Sequence, residues 1–176
     1  MSDLVWSTRS ATIDDAGILA DIVIEATKAQ GRWMPRSPPD EEAWRKEYAA
    51  WGTEQVEQAD PGNILSVIES HGQPIGRLRI VRDTVADSAG RAQVGRIELA
   101  GIQLRSGSQG HGIGTAIVHE LQREATRDHA PLELRVEKDN QHARRLYERL
   151  GFTHIGANDN EDLMRWVPSS WRPFPS

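Results

Sequence analysis

Residues 109–114 read Gln-Gly-His-Gly-Ile-Gly, and they stand where a strand pattern over 94–104 gives way to a helix pattern beginning at Ile113. Glycine adopts positive φ at little cost, so this segment can turn several backbone N–H groups towards one anion where a helix begins. The pattern predicts a phosphate-binding loop. An ordinary tight turn is the alternative, because glycines also gather in turns for conformational reasons alone.

Two common phosphate loops do not fit this segment. A Walker loop ends in Gly-Lys-Ser/Thr, whereas Gly112 is followed by Ile113 and Gly114. A dinucleotide fingerprint would need glycine at Thr115 or at Ile117. The pattern that remains is Gln/Arg-x-x-Gly-x-Gly/Ala.

A second block lies downstream, where a strand pattern over 132–136 precedes the order N-x-x-A-x-x-x-Y-x-x-x-G-F over residues 140–152. The two blocks, in this order and at this distance, resemble the signatures of the GNAT superfamily of N-acetyltransferases. The loop carries Gln109 where members of that family often have arginine.

Hydrophobic periodicity outlines the remaining elements. Strand patterns cover 5–9, 64–69, 75–82 and 94–104, with a polar loop expected over 82–93. Thr12 and Asp15 form a capping box for a first helix to about Lys28, and Asp40 is the predicted cap of a second helix to about Gln58. The order βααβββαβαββ is also what the resemblance implies. The expected fold is α/β (α+β), a mixed, mostly antiparallel sheet of six to seven strands flanked by about four helices. We predict one N-acetyltransferase domain over 1–167 and a tail over 168–176.

Composition narrows the functional classes. The net charge is −5, from 21 basic and 26 acidic residues, which argues against nucleic acid as a partner and suits a cationic amine. There is no cysteine, so a cysteine-bound acyl intermediate is impossible. The six histidines have no metal-ligand spacing, and no long apolar run predicts a membrane span. We therefore expect a cytoplasmic protein with no metal and no membrane partner.

The resemblance implies acetyl-CoA as a co-substrate and assigns most of its contacts to backbone. The strand before the loop would pair with the pantetheine arm as an added strand would. Asn140 would also bind this arm, with a helix N-cap as its alternative role. The alternative role for His111 is that of an ordinary solvated histidine. The predicted cofactor residues are Ile102, Gln103, Leu104, Gln109, Gly110, His111, Gly112, Ile113, Gly114, Thr115 and Asn140.

Two residues are candidates for proton transfer. Glu98 is the candidate general base, because a protonated amine must lose a proton before it attacks a thioester. Its alternative is a solvated or salt-bridged strand glutamate, and Glu69 and Asp162 are held in reserve. Tyr147 is the candidate general acid that serves the departing thiolate, with a core aromatic residue as the alternative.

The acceptor side is less determined. Trp33, in a proline-rich loop, Glu69 and Trp166 are the candidate substrate-binding residues. Trp44, Tyr48 and Trp51 are spaced i, i+4, i+7 along the second helix, which favours packing onto the sheet. Gly101 marks either a bulge or a packed strand glycine.

The resulting hypothesis is an acetyl-CoA-dependent N-acetyltransferase that moves an acetyl group directly to a primary amine of a small molecule, in a ternary complex. Acetylation of a protein or peptide amino group is one alternative, and a non-catalytic acyl-CoA sensor is another. A homodimer is possible.

Overall fold

The computed structural model describes residues 5–31, 38–58, 60–87 and 89–172. Contacts between Cα atoms divide the chain into two compact units. The first unit holds the residues up to Arg79 together with Gly101–Ile113, and the second holds Ile80–Ala100 and the residues from Gly114 onwards. The single domain over 1–167 stays a prediction.

The strands form one seven-stranded sheet in the order β1-β2-β3-β4-β5-β7-β6. They are β1 (Ser7–Ser10), β2 (Asn63–Ser70), β3 (Gln73–Ala86), β4 (Ala92–Leu104), β5 (Leu132–Glu137), β6 (Thr153–Ala157) and β7 (Glu161–Trp166). The helices are α1 (Ala16–Ala29), α2 (Pro38–Glu57), α3 (Ile113–Arg127) and α4 (Gln141–Arg149). β4 and β5 are parallel, whereas β1 with β2, β5 with β7, and β6 with β7 are antiparallel. The predicted fold class and element order are confirmed.

In the first unit, the predicted start of α1 is confirmed in detail. The Asp15 carboxylate accepts the Thr12 backbone N–H at 2.7 Å and both terminal nitrogens of Arg9 at 2.7 and 2.8 Å. The stripe of α1 then buries Leu19 and Ile22 in a core that includes strand residues of β2. One carboxylate thus caps the helical segment and fixes its entry from β1.

We expect Asp15→Asn to lower the free energy of unfolding by about 1–2 kcal/mol at pH 7, a figure discounted because the Arg9 side chain is 40% exposed. The Arg9 hydrogen bonds hold the pKa of Asp15 well below its usual range. The stabilisation is therefore present above the unfolded-state pKa, about 3.9, and is lost as pH falls below it. Urea unfolding of both proteins at pH 7 and pH 3 should give a difference that shrinks at pH 3. Asp14→Asn, at the exposed neighbour, should change neither curve.

The second helix begins earlier than the sequence pattern suggested. α2 starts at Pro38 and not behind a cap at Asp40. Proline is well suited to a first turn, because its φ is already helical and the missing N–H has no partner there.

In the second unit, the polar segment predicted as a loop over 82–93 is mostly strand. β3 runs to Ala86 and β4 begins at Ala92, and Asp87 accepts the N–H groups of Ala89 and Arg91, both at 2.8 Å, in the short turn between them. The charged residues of these strands are tolerated because they are paired. Arg82 binds Glu124 and Asp83 binds Arg96.

The helix after the glycine loop has the buried face that its periodicity predicted. Ile117, Leu121 and Ala125 are all buried in the second unit. None of the helices in the described part of the chain is long and apolar enough to cross a membrane.

Candidate active site

The glycine loop lies in the first unit up to Ile113 and is open. Gly110 and Gly112 have φ of +77° and +78°, and a Cβ at either position would meet no atom within 4 Å. Among the described residues, none accepts a hydrogen bond from the N–H groups of Gly110, His111 or Gly112. The loop therefore offers free backbone donors directly before α3, as a phosphate site requires.

The segment that leads into this loop is anchored by α1. The Glu25 carboxylate accepts the backbone N–H of Ser106 at 2.9 Å and its hydroxyl at 3.0 Å, and it also binds the Arg105 guanidinium. Burial raises the pKa of Glu25, but these hydrogen bonds outweigh it and lower the pKa below its usual value. The backbone N–H of Arg105 donates to the Ile75 carbonyl at 2.8 Å. The start of this segment is thus held to both α1 and β3.

The side chain of Gln109 has a partner within the first unit. Its Nε2 donates to the Leu104 carbonyl at 2.9 Å, at the end of β4. The predicted bond from this side chain to a diphosphate would have to replace that bond. The backbone N–H of Gln109 also donates, to the Ser106 carbonyl at 3.3 Å, whereas those of Gly110, His111 and Gly112 have no competing acceptor within the described residues.

In the second unit, the pairing of β4 with β5 is short. It joins Ile97–Leu99 to Leu132–Leu134, while Arg135–Glu137 of β5 continue in pairs with β7. The residues predicted to pair with pantetheine are Ile102–Leu104. They come after the stretch of β4 that pairs with β5, and they are half-buried.

Asn140 is the N-cap of α4, as its alternative role anticipated. Its Oδ1 accepts the Ala143 N–H at 3.2 Å. The Nδ2 of this side chain donates to no described residue, so the cap leaves a donor for a ligand. The pantetheine role stays a prediction.

Tyr147 is almost fully buried in the second unit, with 8% exposure, and its ring lies 5.8 Å from that of Phe152. No described residue hydrogen-bonds its hydroxyl. Burial raises the pKa of the phenol to about 12. The group is therefore protonated at neutral pH and can act as a proton donor.

Glu98 lies in a cluster of charges in the second unit. Its Oε2 is 3.3 Å from Nη2 of Arg96, which also binds Asp83 at 2.6 Å. The other terminal nitrogen of Arg96 is 3.1 Å from the buried Glu133. The side chain of Glu98 is 18% exposed and salt-bridged, so its role as a base stays a prediction.

The reserve carboxylates are also paired. In the first unit, Glu69 accepts from Arg9 Nε at 2.8 Å. In the second unit, Asp162 binds Arg144 at 2.6 Å and lies 3.4 Å from His154.

Of the predicted acceptor residues, Trp166 lies against Gly151, where a Cβ would be 3.4 Å from its Cδ1. Trp33 lies outside the described residues. The described part of the tail packs on the second unit, where Trp171 is 6.0 Å from the Arg165 guanidinium.

The aromatic residues of α2 form a continuous row in the first unit. Trp44 stacks on Tyr48 at 4.9 Å, and Tyr48 meets Trp51 at 5.2 Å. They contact the sheet through arginines of β3, since Arg77 lies 5.6 Å from the Tyr48 ring and Arg79 5.3 Å from the Trp51 ring. The row therefore packs onto the sheet, which is the arrangement that its helical spacing favoured.

Sequence reasoning missed Arg77. In β3, successive side chains point to opposite faces, so Arg77 lies on the same face as Arg79 and on the face opposite to Gly76 and Leu78. This alternation is the signal that could have identified Arg77. Gly101 leaves room for its guanidinium, because a Cβ there would lie 2.5 Å from Nη1 of Arg77. No group of His, Asp and Glu in the described ranges is arranged to hold a metal ion.

Comparisons with known proteins agree with this architecture. The chain matches the acetyltransferase (GNAT) family over residues 25–152 and therefore belongs to this family of acyltransferases. No curated protein sequence matches it significantly.

Solved structures share the fold at low identity. The PaiA N-acetyltransferase of Thermoplasma acidophilum, in complex with coenzyme A, has a TM-score of 0.71 at 15% identity, over 93% of this chain and 99% of that one. An acetyltransferase of Thermus thermophilus has 0.67 at 15%, over 96% and 100%. A Corynebacterium glutamicum structure described as histone acetyltransferase HPA2 and related acetyltransferase has 0.62 at 21%, over 96% and 98%.

Proposed function

We propose that the protein is an acetyl-CoA-dependent N-acetyltransferase that transfers an acetyl group directly to the primary amine of a small molecule. The observation that carries this proposal is the open loop with two left-handed glycines and free N–H groups at Gly110, His111 and Gly112, in a member of the acetyltransferase (GNAT) family. The diphosphate of acetyl-CoA would accept hydrogen bonds from these amides and from those of Gly114 and Thr115 at the start of α3.

The remaining cofactor contacts follow the family pattern. Backbone groups of Ile102, Gln103 and Leu104 would pair with the pantetheine arm, and the Nδ2 of Asn140 would donate to it. These contacts use backbone groups and one amide side chain. They would bind acetyl-CoA, the acyl donor, without selecting the amine that accepts the acetyl group.

Transfer requires three proton movements. Glu98, directly or through water, accepts the proton of the ammonium group, and the free amine attacks the acetyl carbonyl carbon. A new C–N bond forms, the C–S bond breaks, and the protonated Tyr147 phenol donates to the thiolate that leaves. The attacking nitrogen then loses its second proton, which passes through solvent to the phenolate and restores Tyr147. No covalent acyl-protein intermediate is needed.

The test is release of free thiol from acetyl-CoA with a panel of primary amines, together with mass spectrometry of the products. Turnover with small amines supports the proposal. Binding of acetyl-CoA without turnover on any amine would favour a sensor, and turnover on peptides alone would favour a protein acceptor.

We expect Glu98→Gln to lower kcat roughly a hundredfold at pH 7, because the amine then loses its proton without help. The deficit should shrink as the pH approaches the pKa of the acceptor amine, since more of it is then neutral. A pH profile of kcat in both proteins measures this. An equal deficit at every pH would contradict a role as base and point to the charge cluster around Arg96, which Arg96→Gln would disturb in the same way.

A further inference from the structure

Arg77 is the buried charge that lacks a counter-ion in the described part of the chain. The other buried charged residues are Asp15, Glu133 and Asp162, and each binds at least one arginine. Arg77 is only 6% exposed, yet no described carboxylate lies within ion-pair distance of its guanidinium. A buried charge without a partner is costly, and an apolar side chain would serve packing better.

Two donors at this position have no hydrogen-bond partner among the described residues. Nη1 donates to the Gln103 side chain at 2.7 Å, but Nε is buried without a hydrogen-bond partner. The hydroxyl of Tyr48, whose ring centre lies 5.6 Å from the guanidinium carbon, is also buried and without a partner. The guanidinium Nε and the phenol hydroxyl are therefore two buried donors that a group with acceptor atoms would satisfy.

Two aromatic rings and a glycine surround the guanidinium of Arg77 and accommodate it. The Tyr48 and Trp51 rings lie 5.6 and 5.5 Å from its central carbon, and Gly101 supplies the space in which Nη1 sits. Aromatic faces stabilise a guanidinium but do not neutralise its charge. The neighbouring Arg79 differs, because its Nε already donates to Asn63 at 3.0 Å.

We propose that Arg77 and the Tyr48 hydroxyl bind a carboxylate of the acceptor, so that the acceptor is an amino acid or another amine that carries a carboxylate. This rests on the proposed N-acetyltransferase function. Guanidinium groups pair with planar carboxylates through parallel N–H bonds, and one free charge matches one monoanion. The pantetheine arm expected along β4 carries no charge, so the anion belongs to the other substrate.

The test compares matched acceptors in the thiol-release assay, namely the standard L-amino acids, their C-terminal amides and the corresponding decarboxylated amines. For the best acceptors, kcat/KM of the wild-type protein should be at least tenfold higher with the carboxylate than with its amide. Arg77→Gln should remove this preference, mainly through KM, while turnover of the amides stays within about twofold. Arg79→Gln, beside the same Trp51 ring, should keep the preference.

A second variant covers the case in which Arg77→Gln does not fold. Gly101→Ala keeps the arginine but displaces its guanidinium, and it should reduce the preference in the same direction. Equal use of acids and amides by the wild-type protein, or an unchanged preference in both variants, would overturn this inference and leave N-acetyl transfer standing.

Absence of turnover with every amine would instead count against the proposed function. Calorimetric titration with the amino acids and their amides then decides the carboxylate site separately. Heat seen only with the acids and lost in Arg77→Gln supports the site, and no heat with any acid overturns it.

Discussion

Gly112→Glu is expected to raise the Kd for acetyl-CoA at least roughly a thousandfold, which corresponds to about 4 kcal/mol. The backbone N–H groups of the loop are the proposed ligands of the diphosphate, and a carboxylate among them would compete for these donors and repel the anion. Gly112 also has φ of +78°, which a glutamate adopts with strain, so the loop itself would shift. Isothermal titration with coenzyme A and acetyl-CoA measures the effect.

The matched control is Gly72→Glu in the turn between β2 and β3. Gly72 has φ of +73° and equally open surroundings, so this change adds the same charge and similar backbone strain away from the glycine loop. It should leave the Kd within about twofold of the wild-type value. Similar losses in both variants would mean that the effect comes from strain or net charge, and the loop would lose its role.

Tyr147→Phe is expected to reduce kcat roughly a thousandfold while the Kd of acetyl-CoA changes by less than about twofold. The change removes only the hydroxyl, so the contact of the ring with Phe152 at 5.8 Å remains. Because burial raises the pKa of the phenol to about 12, the wild-type protein keeps this proton donor through the neutral range. Its titration should produce no loss of activity below pH of about 10. Single-turnover measurements with a saturating amine separate this step from product release.

Phe152→Leu is the control for packing around Tyr147. It removes the ring contact but keeps the hydroxyl, so it should lower the free energy of unfolding with a much smaller effect on kcat. Unchanged kcat in Tyr147→Phe would remove this residue from the mechanism. A large fall in kcat in both variants would assign the effect to the position of α4 and not to the proton.

Periodicity and local signals predicted much of the fold. The capping box at Thr12 and Asp15, the buried stripe of α1 and the face of α3 depend on residues close in sequence, and the structure contains all three. The predicted start of α2 was wrong although its signal is local, because proline at Pro38 suits a first helical turn. The predicted extent of β3 was wrong for the opposite reason. Polar residues over 82–93 suggested a loop, but their charges are satisfied by residues distant in sequence, such as Glu124 for Arg82.

The candidate site shows the same limit. The loop over 109–114 could be predicted, because a phosphate site made of backbone N–H groups depends directly on the spacing of its glycines. Arg77 was not predicted as a site residue, because its importance depends on its burial without a counter-ion, and only the fold shows this. The alternation of β3 places Arg77 on one face with Arg79, but it gives no sign that Arg77 is buried without a counter-ion.

Gln103 connects both halves of the proposed chemistry within a single residue. Its side chain orients the guanidinium of Arg77, and its peptide group belongs to the stretch of β4 assigned to the acyl donor. A change at Gln103 would therefore affect both the proposed donor contact and the proposed acceptor contact. The proposed requirement for an acid would then lie in strands β3 and β4, where remodelling the surface loops would leave it intact.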